Sequence, residues 1–305
     1  MTREELNHKK QETIINEQRK AKIKLFALNF LKFSILLIVG FLSFYLYTTF
    51  ISTSRISINE KRILNEKIPD NFDGLKVIHF SDLHYGTTIF YDKLHDIVKK
   101  INIRNPDLVV FTGDLIDAGY KLSTDEQEKI IDLLKKIDSK LGKYAVMGEE
   151  DDELFDTIMK QSDFVVLNNE YEFIYDNSTA PILLIGLGSD LNNDLNIDKA
   201  YAYFNDASHN SNIFSISLFH EPDVADKILK KYNSDLLLAG HSHNGTIRLP
   251  FIGALYNVNG AKKYNQEFYE LDKSKLFVSS GLGTNGPGFR LFCRPSFNFF
   301  RISKK

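Results

Sequence analysis

The sequence is almost without cysteine. Cys293 is the single one in 305 residues, which excludes an intrachain disulfide and any cysteine-built metal cluster. It leaves the compartment open, because disulfide-free chains occur on both sides of a membrane. Positive charge is not in excess either: 38 Lys and Arg stand against 40 Asp and Glu, a formal net charge of -2. A protein that tracks a duplex needs a basic surplus to neutralise phosphates, so nucleic acid is not expected as a partner. A Gly-x-Ser-x-Gly nucleophile elbow is missing, as are internal repeats and low-complexity tracts. What remains is ordinary globular composition, 43% hydrophobic and 26% charged, enough for one large domain or two small ones.

One long apolar run is present. "FSILLIVGFLSFYLYTTFI", residues 33–51, carries no charge. At the helical rise it reaches roughly 30 Å, the thickness of a bilayer's hydrocarbon. Arg19, Lys20, Lys22, Lys24 and Lys32 precede it, and the flank after it is less basic. The positive-inside rule then places the N-terminus in the cytoplasm and everything after Ile51 outside. A cleaved signal peptide would have a shorter apolar core and a small-x-small cleavage site, and "STS" at 52–54 is a poor one. A buried core helix would keep a polar face. The expected organisation is a cytoplasmic tail over 1–32, a transmembrane helix over 33–51, a linker over 52–71 and one domain over 72–305, in a single-pass protein of the cell membrane.

Within 72–305, short β-rich runs alternate with amphipathic stretches. "LKVIHFS" reads as a buried strand, and Leu94, Ile97, Val98 and Ile101 follow at helical spacing. "PDLVVFTGD" is the next strand; Ser123 and Glu126 form a capping-box pattern ahead of the stripe Ile130, Leu134 and Ile137. "KYAVMG", "APILLIGLG", "NIFSISLFH" and "SDLLLAGH" continue the series, with Val224, Ile228, Leu229 and Tyr232 on a helix. The tail, "KLFVSSGLG" and "FRLFCRPSFNFFRI", is β-rich and suggests a second sheet packed on the first. The alternation predicts an α/β layered fold.

The informative residues are those that end the strands. The first strand ends in "SDLH", giving Asp82 and His84; the second in "TGD", giving Asp114; the third in "GEED". Later strands end at His220 and in "GHSH", giving His241 and His243. Ligands of open α/β sheets bind beyond the carboxyl ends of the strands, and x-spaced pairs on extended backbone point to the same side. Four of the eight histidines and two aspartates are thus delivered to one rim, which is the donor set of a metal site. His8, His79, His95 and His209 have bland readings: a tail residue, a strand interior, a helix flank and a polar loop.

Taken in order, Asp-x-His, Gly-Asp, a third Gly-centred motif, His and Gly-His-x-His resemble the calcineurin-like metallophosphoesterase superfamily, over roughly Phe72 to Arg301. The "SDLH" opening, the anchor and the tail "SSGLGTNGPGFRLFCRP" are similar to its membrane-associated bacterial phosphodiesterases. The resemblance implies a four-layer α-β-β-α sandwich of the metallophosphoesterase type and two divalent metal ions, manganese, iron or zinc, bridged by an aspartate and a hydroxide. It implies Asp82, His84 and His243 on the first ion, Asp114 as the bridge, and His220 and His241 on the second. The reaction implied is hydrolysis of a phosphodiester or pyrophosphate, with no covalent protein nucleophile, and the anchor points to a lipid-linked substrate.

One motif departs. The family has Gly-Asn-His-(Asp/Glu), and this chain reads Gly148-Glu149-Glu150-Asp151. Glu149 is expected to replace the asparagine as a metal ligand, adding a negative charge that holds the metal more firmly and weakens it as a Lewis acid. Glu150 stands where a catalytic histidine is usual; it serves as an acid toward the leaving group only when protonated, which requires burial or like-charge neighbours. Asp151 matches the acid that supports the loop, and Asp152 and Glu153 suit a helix start. The alternative function is a catalytically weak or inactive member serving as an anchored binding module. Arg290, in the Gly-rich tail loop, reads either as a phosphate contact or as a surface residue.

Overall fold

The computed structural model describes residues 2–209, 212–286 and 288–305. The chain forms two compact units, Met1–Thr48 and Thr49–Lys305.

The first unit is one helix, α1 (Arg3–Leu46). A capping box closes its start: Thr2 Oγ1 accepts from the Glu5 N–H, and the Glu5 carboxylate accepts from the Thr2 N–H at 2.8 Å. None of its residues is buried, and it is long and apolar enough to cross a membrane. The polar stretch expected as a tail over 1–32 belongs to this same helix from Arg3 onward, because it contains no Pro or Gly to break the backbone hydrogen-bond ladder.

In the second unit a short turn, α2 (Ser52–Ser54), leads to two six-stranded sheets. The first runs β1 (Ser57–Asn65), β14 (Ser296–Lys304), β2 (Leu75–Phe80), β3 (Leu108–Thr112), β4 (Lys143–Val146), β5 (Phe164–Val166). The second runs β12 (Phe268–Leu271), β13 (Ser274–Val278), β9 (Leu236–Ala239), β8 (Ser215–Leu218), β7 (Ile182–Gly186), β6 (Glu170–Ile174). Strands β2 to β5 are mutually parallel, as are β7, β8, β9 and β13. Helices α3 (Tyr91–Asn102), α4 (Thr124–Lys135) and α5 (Glu153–Gln161) connect the first set; α6 (Ile197–Ala200) and α7 (Val224–Leu229) connect the second. A small hairpin, β10 (Arg248–Leu249) with β11 (Gly253–Ala254), stands apart from both sheets.

The two-residue period of a strand sorts its side chains into layers. On β2 and β3, Ile78, Phe80, Val109 and Phe111 pack with Leu94, Ile97 and Ile101 of α3 and Leu133 and Leu134 of α4. Their neighbours Val77, Leu108 and Val110 face the other way, against Leu184, Ile216 and Leu238 of the second sheet. The far side of that sheet, with Leu183, Ile185 and Leu237, packs on Val224 and Ile228 of α7. The result is the α-β-β-α sandwich expected.

Two expectations are corrected. The span 52–71, expected as a linker, contains β1, which pairs in parallel with β14 over nine residues. It escapes sequence reading because it is an edge strand with only Ile63 buried, so its hydrophobic alternation is weak. The β-rich tail does not build a sheet of its own. It divides, β13 adding to the second sheet and β14 inserting antiparallel to β2 in the first.

His79 shows why a buried histidine need not be a ligand. It lies on the inter-sheet face, fully buried, with Nε2 2.9 Å from Thr112 Oγ1 and Nδ1 3.2 Å from Asn298 Nδ2. Burial lowers its pKa from 6.5 to about 3. A proton is therefore taken up by the unfolded chain but refused by the fold, so its contribution is complete above pH 6.5 and is lost as pH falls toward 3. We expect thermal unfolding of the full chain in detergent to weaken over that window. His79→Gln should flatten the loss by on the order of a few kcal/mol, and an unchanged acid slope would contradict this account.

Candidate metal centre

The carboxyl ends of β2, β3, β4, β8 and β9 meet at one rim, and every residue expected there arrives. Asp82, His84 and His243 form one group of converging ligand atoms; Asp114, Glu149, His220 and His241 form a second. Asp82, His84, Asp114 and His220 are at most 1% exposed. Asp82 (φ 50°), His84 (φ 41°), Asp114 (φ 61°), His241 (φ 64°) and His243 (φ 45°) all adopt left-handed backbone. Such conformations cost on the order of 1–3 kcal/mol each outside glycine and cluster at functional sites.

Asp114 stands between the two groups. Its Oδ2 is 3.5 Å from His84 Nε2 and 3.3 Å from His220 Nε2. His84 and His243 bring their Nε2 atoms to 3.0 Å of each other, and His243 Nε2 lies 3.5 Å from Asp82 Oδ1. Glu149 spans the second group, with Oε2 2.7 Å from His220 Nε2 and Oε1 2.8 Å from His241 Nδ1. Glu149 Oε2 and His220 Nε2 are buried and without a hydrogen-bond partner, despite their closeness. Buried polar atoms left this way are rare. Lone pairs that converge without satisfying one another are what a cation between them requires, so the donor set fits the divalent ions that the sequence resemblance implies.

Backbone carbonyls select the ring nitrogens. His220 Nδ1 lies 2.6 Å from the Thr112 carbonyl, leaving Nε2 for the site; His241 Nε2 lies 2.6 Å from the Asn259 carbonyl, leaving Nδ1. Such outer partners fix tautomer and orientation. Asp151 holds the loop, accepting from the N–H groups of Asp114 (2.7 Å), Gly148 (2.8 Å) and Leu115 (2.9 Å). Burial and the nearby Asp114 carboxylate raise its pKa to about 7, against those three donors. A Cβ on Gly148 would collide with the Asp114 carboxylate and the His220 ring, which is why the third strand must end in glycine.

The electrostatics are those of a carboxylate cage. Burial disfavours a proton on His84, yet the Glu150 carboxylate and the charges of Asp114 and Asp82 raise its pKa to about 9. His220 and His241 are raised against burial by Asp114 and Glu149, whereas burial and the cations around it keep His243 well below its ordinary value. An imidazole binds a metal only in its neutral form, so metal uptake at these histidines competes with protons.

Glu150 does not project freely over the rim. Its Oε2 lies 3.3 Å from His84 Nδ1 and accepts from the Ala118 N–H at 3.0 Å, while Oε1 accepts from Asn285 Nδ2. Asp152 caps α5 by accepting from the Leu154 N–H at 2.8 Å, and Glu153 opens the helix. Arg290 is not a surface residue. It is fully buried, donating to the carbonyls of Ser280 at 2.7 Å and Gly281 at 3.1 Å, and it lies 3.2 Å from His243 Nδ1. Sequence reading missed Asp117 (3.8 Å from His84 Nδ1), Asn285 and the Thr112 and Asn259 carbonyls; a carbonyl leaves no residue-type signal. His8, His95 and His209 are exposed and lie outside both groups.

Beside the site is a cavity of about 570 Å³. Glu149, His241 and His243 form one wall, and Ile247, Leu255, Tyr256, Val258 and Phe289 form an apolar one.

A sandwich of two sheets with metal-ligand groups at its strand ends defines a metallohydrolase architecture. The calcineurin-like phosphoesterase family profile matches residues 75–245, more than half of the chain, and the chain belongs to that family, hydrolases that act on phosphoric esters. It is 29% identical to the metallophosphoesterase YkuE of Bacillus subtilis, over 85% of this chain and 89% of that one. It is 25% identical to the UDP-2,3-diacylglucosamine pyrophosphatase LpxG of Chlamydia muridarum, over 72% of this chain and 82% of that protein. Among solved structures, the calcineurin-like phosphoesterase YfkN of Bacillus subtilis aligns with 68% of this chain and 81% of its own at 14% identity and a TM-score of 0.42.

Proposed function

We propose that this protein is a membrane-anchored phosphoesterase that hydrolyses a lipid-linked phosphodiester or pyrophosphate with two divalent ions. The observation that carries the reading is Asp114, a buried carboxylate within 3.5 Å of a histidine from each ligand group. Asp82, His84 and His243 would hold one ion, Glu149, His220 and His241 the other, and Asp114 both. When bound, such a pair would supply Lewis acidity toward the phosphoryl oxygens and an acidified water. The chain's own residues do the rest. The Thr112 and Asn259 carbonyls orient His220 and His241, and Asp151 fixes the loop that carries Glu149. The apolar wall of the cavity receives the non-polar part of the substrate. A diacylated pyrophosphate, the substrate in LpxG's name, supports a lipid-linked class.

For Glu150 we propose a positioning role. Its carboxylate faces His84 Nδ1 from behind, as carboxylates that orient metal-bound imidazoles do, and both of its oxygens are engaged as acceptors. A catalytically weak binding module is the second reading, favoured by the same pair Glu149-Glu150 where the family has Asn-His. Activity separates them. The full chain, reconstituted with manganese or zinc, is expected to bind up to two ions and to hydrolyse bis(p-nitrophenyl) phosphate. Metal bound without turnover would support the module, and no metal bound at all would sink both readings.

The domain is proposed to lie outside the cytoplasm, on the strength of the basic flank before residue 33. A C-terminal reporter that is active only in the cytoplasm would overturn that orientation.

A further inference from the structure

The β10–β11 hairpin carries two strongly exposed apolar side chains at its tip. Phe251 is fully exposed, with left-handed backbone, and Ile252 is 71% exposed. Phe292, 60% exposed, lines the same groove as these two. Tyr256, 73% exposed, continues the surface into the cavity beside His241 and His243. Single exposed apolar residues are ordinary, but a contiguous patch marks an interaction surface.

The hairpin is held firmly at its base. The Arg248 N–H donates to the Leu291 carbonyl at 2.9 Å, and the Arg248 guanidinium donates to the carbonyls of Asn244 (2.9 Å) and Asn265 (3.0 Å). The tip is therefore presented in a fixed direction, a few residues along the chain from the ligand His243. Leu249 to Ala261 contains no charged residue. Aromatic and aliphatic tips without charge are the composition of segments that sit in the headgroup region of a bilayer.

We propose that this tip, Phe251 and Ile252 with Phe292 and Tyr256, docks on the lipid bilayer that α1 crosses and opens the metal cavity toward it. The inference rests on the anchored reading above. Ten residues separate the end of α1 at Leu46 from β1 at Ser57, a tether of at most about 35 Å even if extended. A bilayer is thus the apolar partner always within reach of the domain. The consequence is substrate access: a lipid slides its apolar part along the tip into the cavity, while its phosphate meets the metal ligands.

The chain has no tryptophan, so a single introduced one reports its own surroundings. The full chain carrying Phe251→Trp is reconstituted into phosphatidylcholine–phosphatidylglycerol vesicles, with and without dibrominated phosphatidylcholine. Tyr175→Trp is the control; Tyr175 is exposed and follows Ile174, which pairs with the start of β7, at the end of the sheet away from the rim. At the depth of about 5–10 Å expected of an interfacial segment, Phe251→Trp emission is blue-shifted and quenched by the bromolipid, and the control's is not. Should Phe251→Trp fail to fold, Ile252→Trp gives the same readout. Solvent-like, unquenched emission overturns the proposal. So does a blue shift without bromolipid quenching, which would mean that another copy of the chain covers the tip. Nitrophenyl diester turnover is measured in the same vesicles. Quenching without turnover would leave the docking intact and remove the phosphoesterase reading, so the two failures are distinguishable.

Discussion

Asp114→Asn is expected to lower kcat/KM on a nitrophenyl phosphodiester by at least about 10³-fold, the scale of losing a group that stabilises transition-state charge. The change keeps the size of the side chain, and the amide can still accept from the Glu150 N–H as Asp114 Oδ1 does at 3.2 Å. What disappears is the one negative charge that both ligand groups share. The carboxylate is buried, and burial alone would raise its pKa; the neighbouring His220 outweighs this and holds it below its ordinary value. An ionised carboxylate in that position compensates two cations at once, and a neutral amide compensates neither. Elemental analysis should show fewer ions per chain alongside the kinetic loss. Full metal content with undiminished turnover would remove Asp114 from the centre of the mechanism.

Restoring the family motif, by Glu149→Asn with Glu150→His, is expected to weaken metal binding by at least about 10–100-fold, the range for losing an orienting partner such as Glu150, with the charge of the ligand Glu149 lost in addition. Glu149 contacts both His220 and His241, and Glu150 backs His84. An asparagine brings one carbonyl oxygen where two charged oxygens stood, and a histidine cannot accept from the Ala118 N–H and Asn285 together as the carboxylate does. Competition against a chelator measures the affinity, and turnover at saturating metal measures the chemistry. We expect both to fall. A large gain in turnover would identify the natural loop as a disabled site and favour the binding-module reading.

Much of the site is legible in the sequence, for a topological reason. In a parallel α/β sheet the residues after each strand share one edge, so Asp82, His84, Asp114, His220, His241 and His243 could be grouped by reading where strands end. Glu149 was reachable as a substitution within a motif, and the structure brings it onto His220 and His241. The role of Glu150 was not reachable. A carboxylate in a loop can swing over the rim or fold back, and here the Ala118 N–H, Asn285 and His84, from three separate segments, draw it back. Arg290 illustrates the same limit: its Gly-rich surroundings suggest a surface loop, but the loop closes over it and leaves it fully buried against carbonyls.

The sequence by itself determined the layered α/β class, the rim of histidines and aspartates, and a helix able to cross a bilayer, because these follow from periodicity, strand-end position and hydropathy, all local properties of the chain. Only the tertiary structure decided that β1 is part of the first sheet, that the tail's last strand crosses to β2, that the Glu150 carboxylate lies against His84 Nδ1, and that an apolar hairpin stands beside the cavity lined by His241 and His243. These depend on backbone hydrogen bonds and close contacts between segments far apart in sequence, and no local pattern records which distant edge or donor a segment will meet.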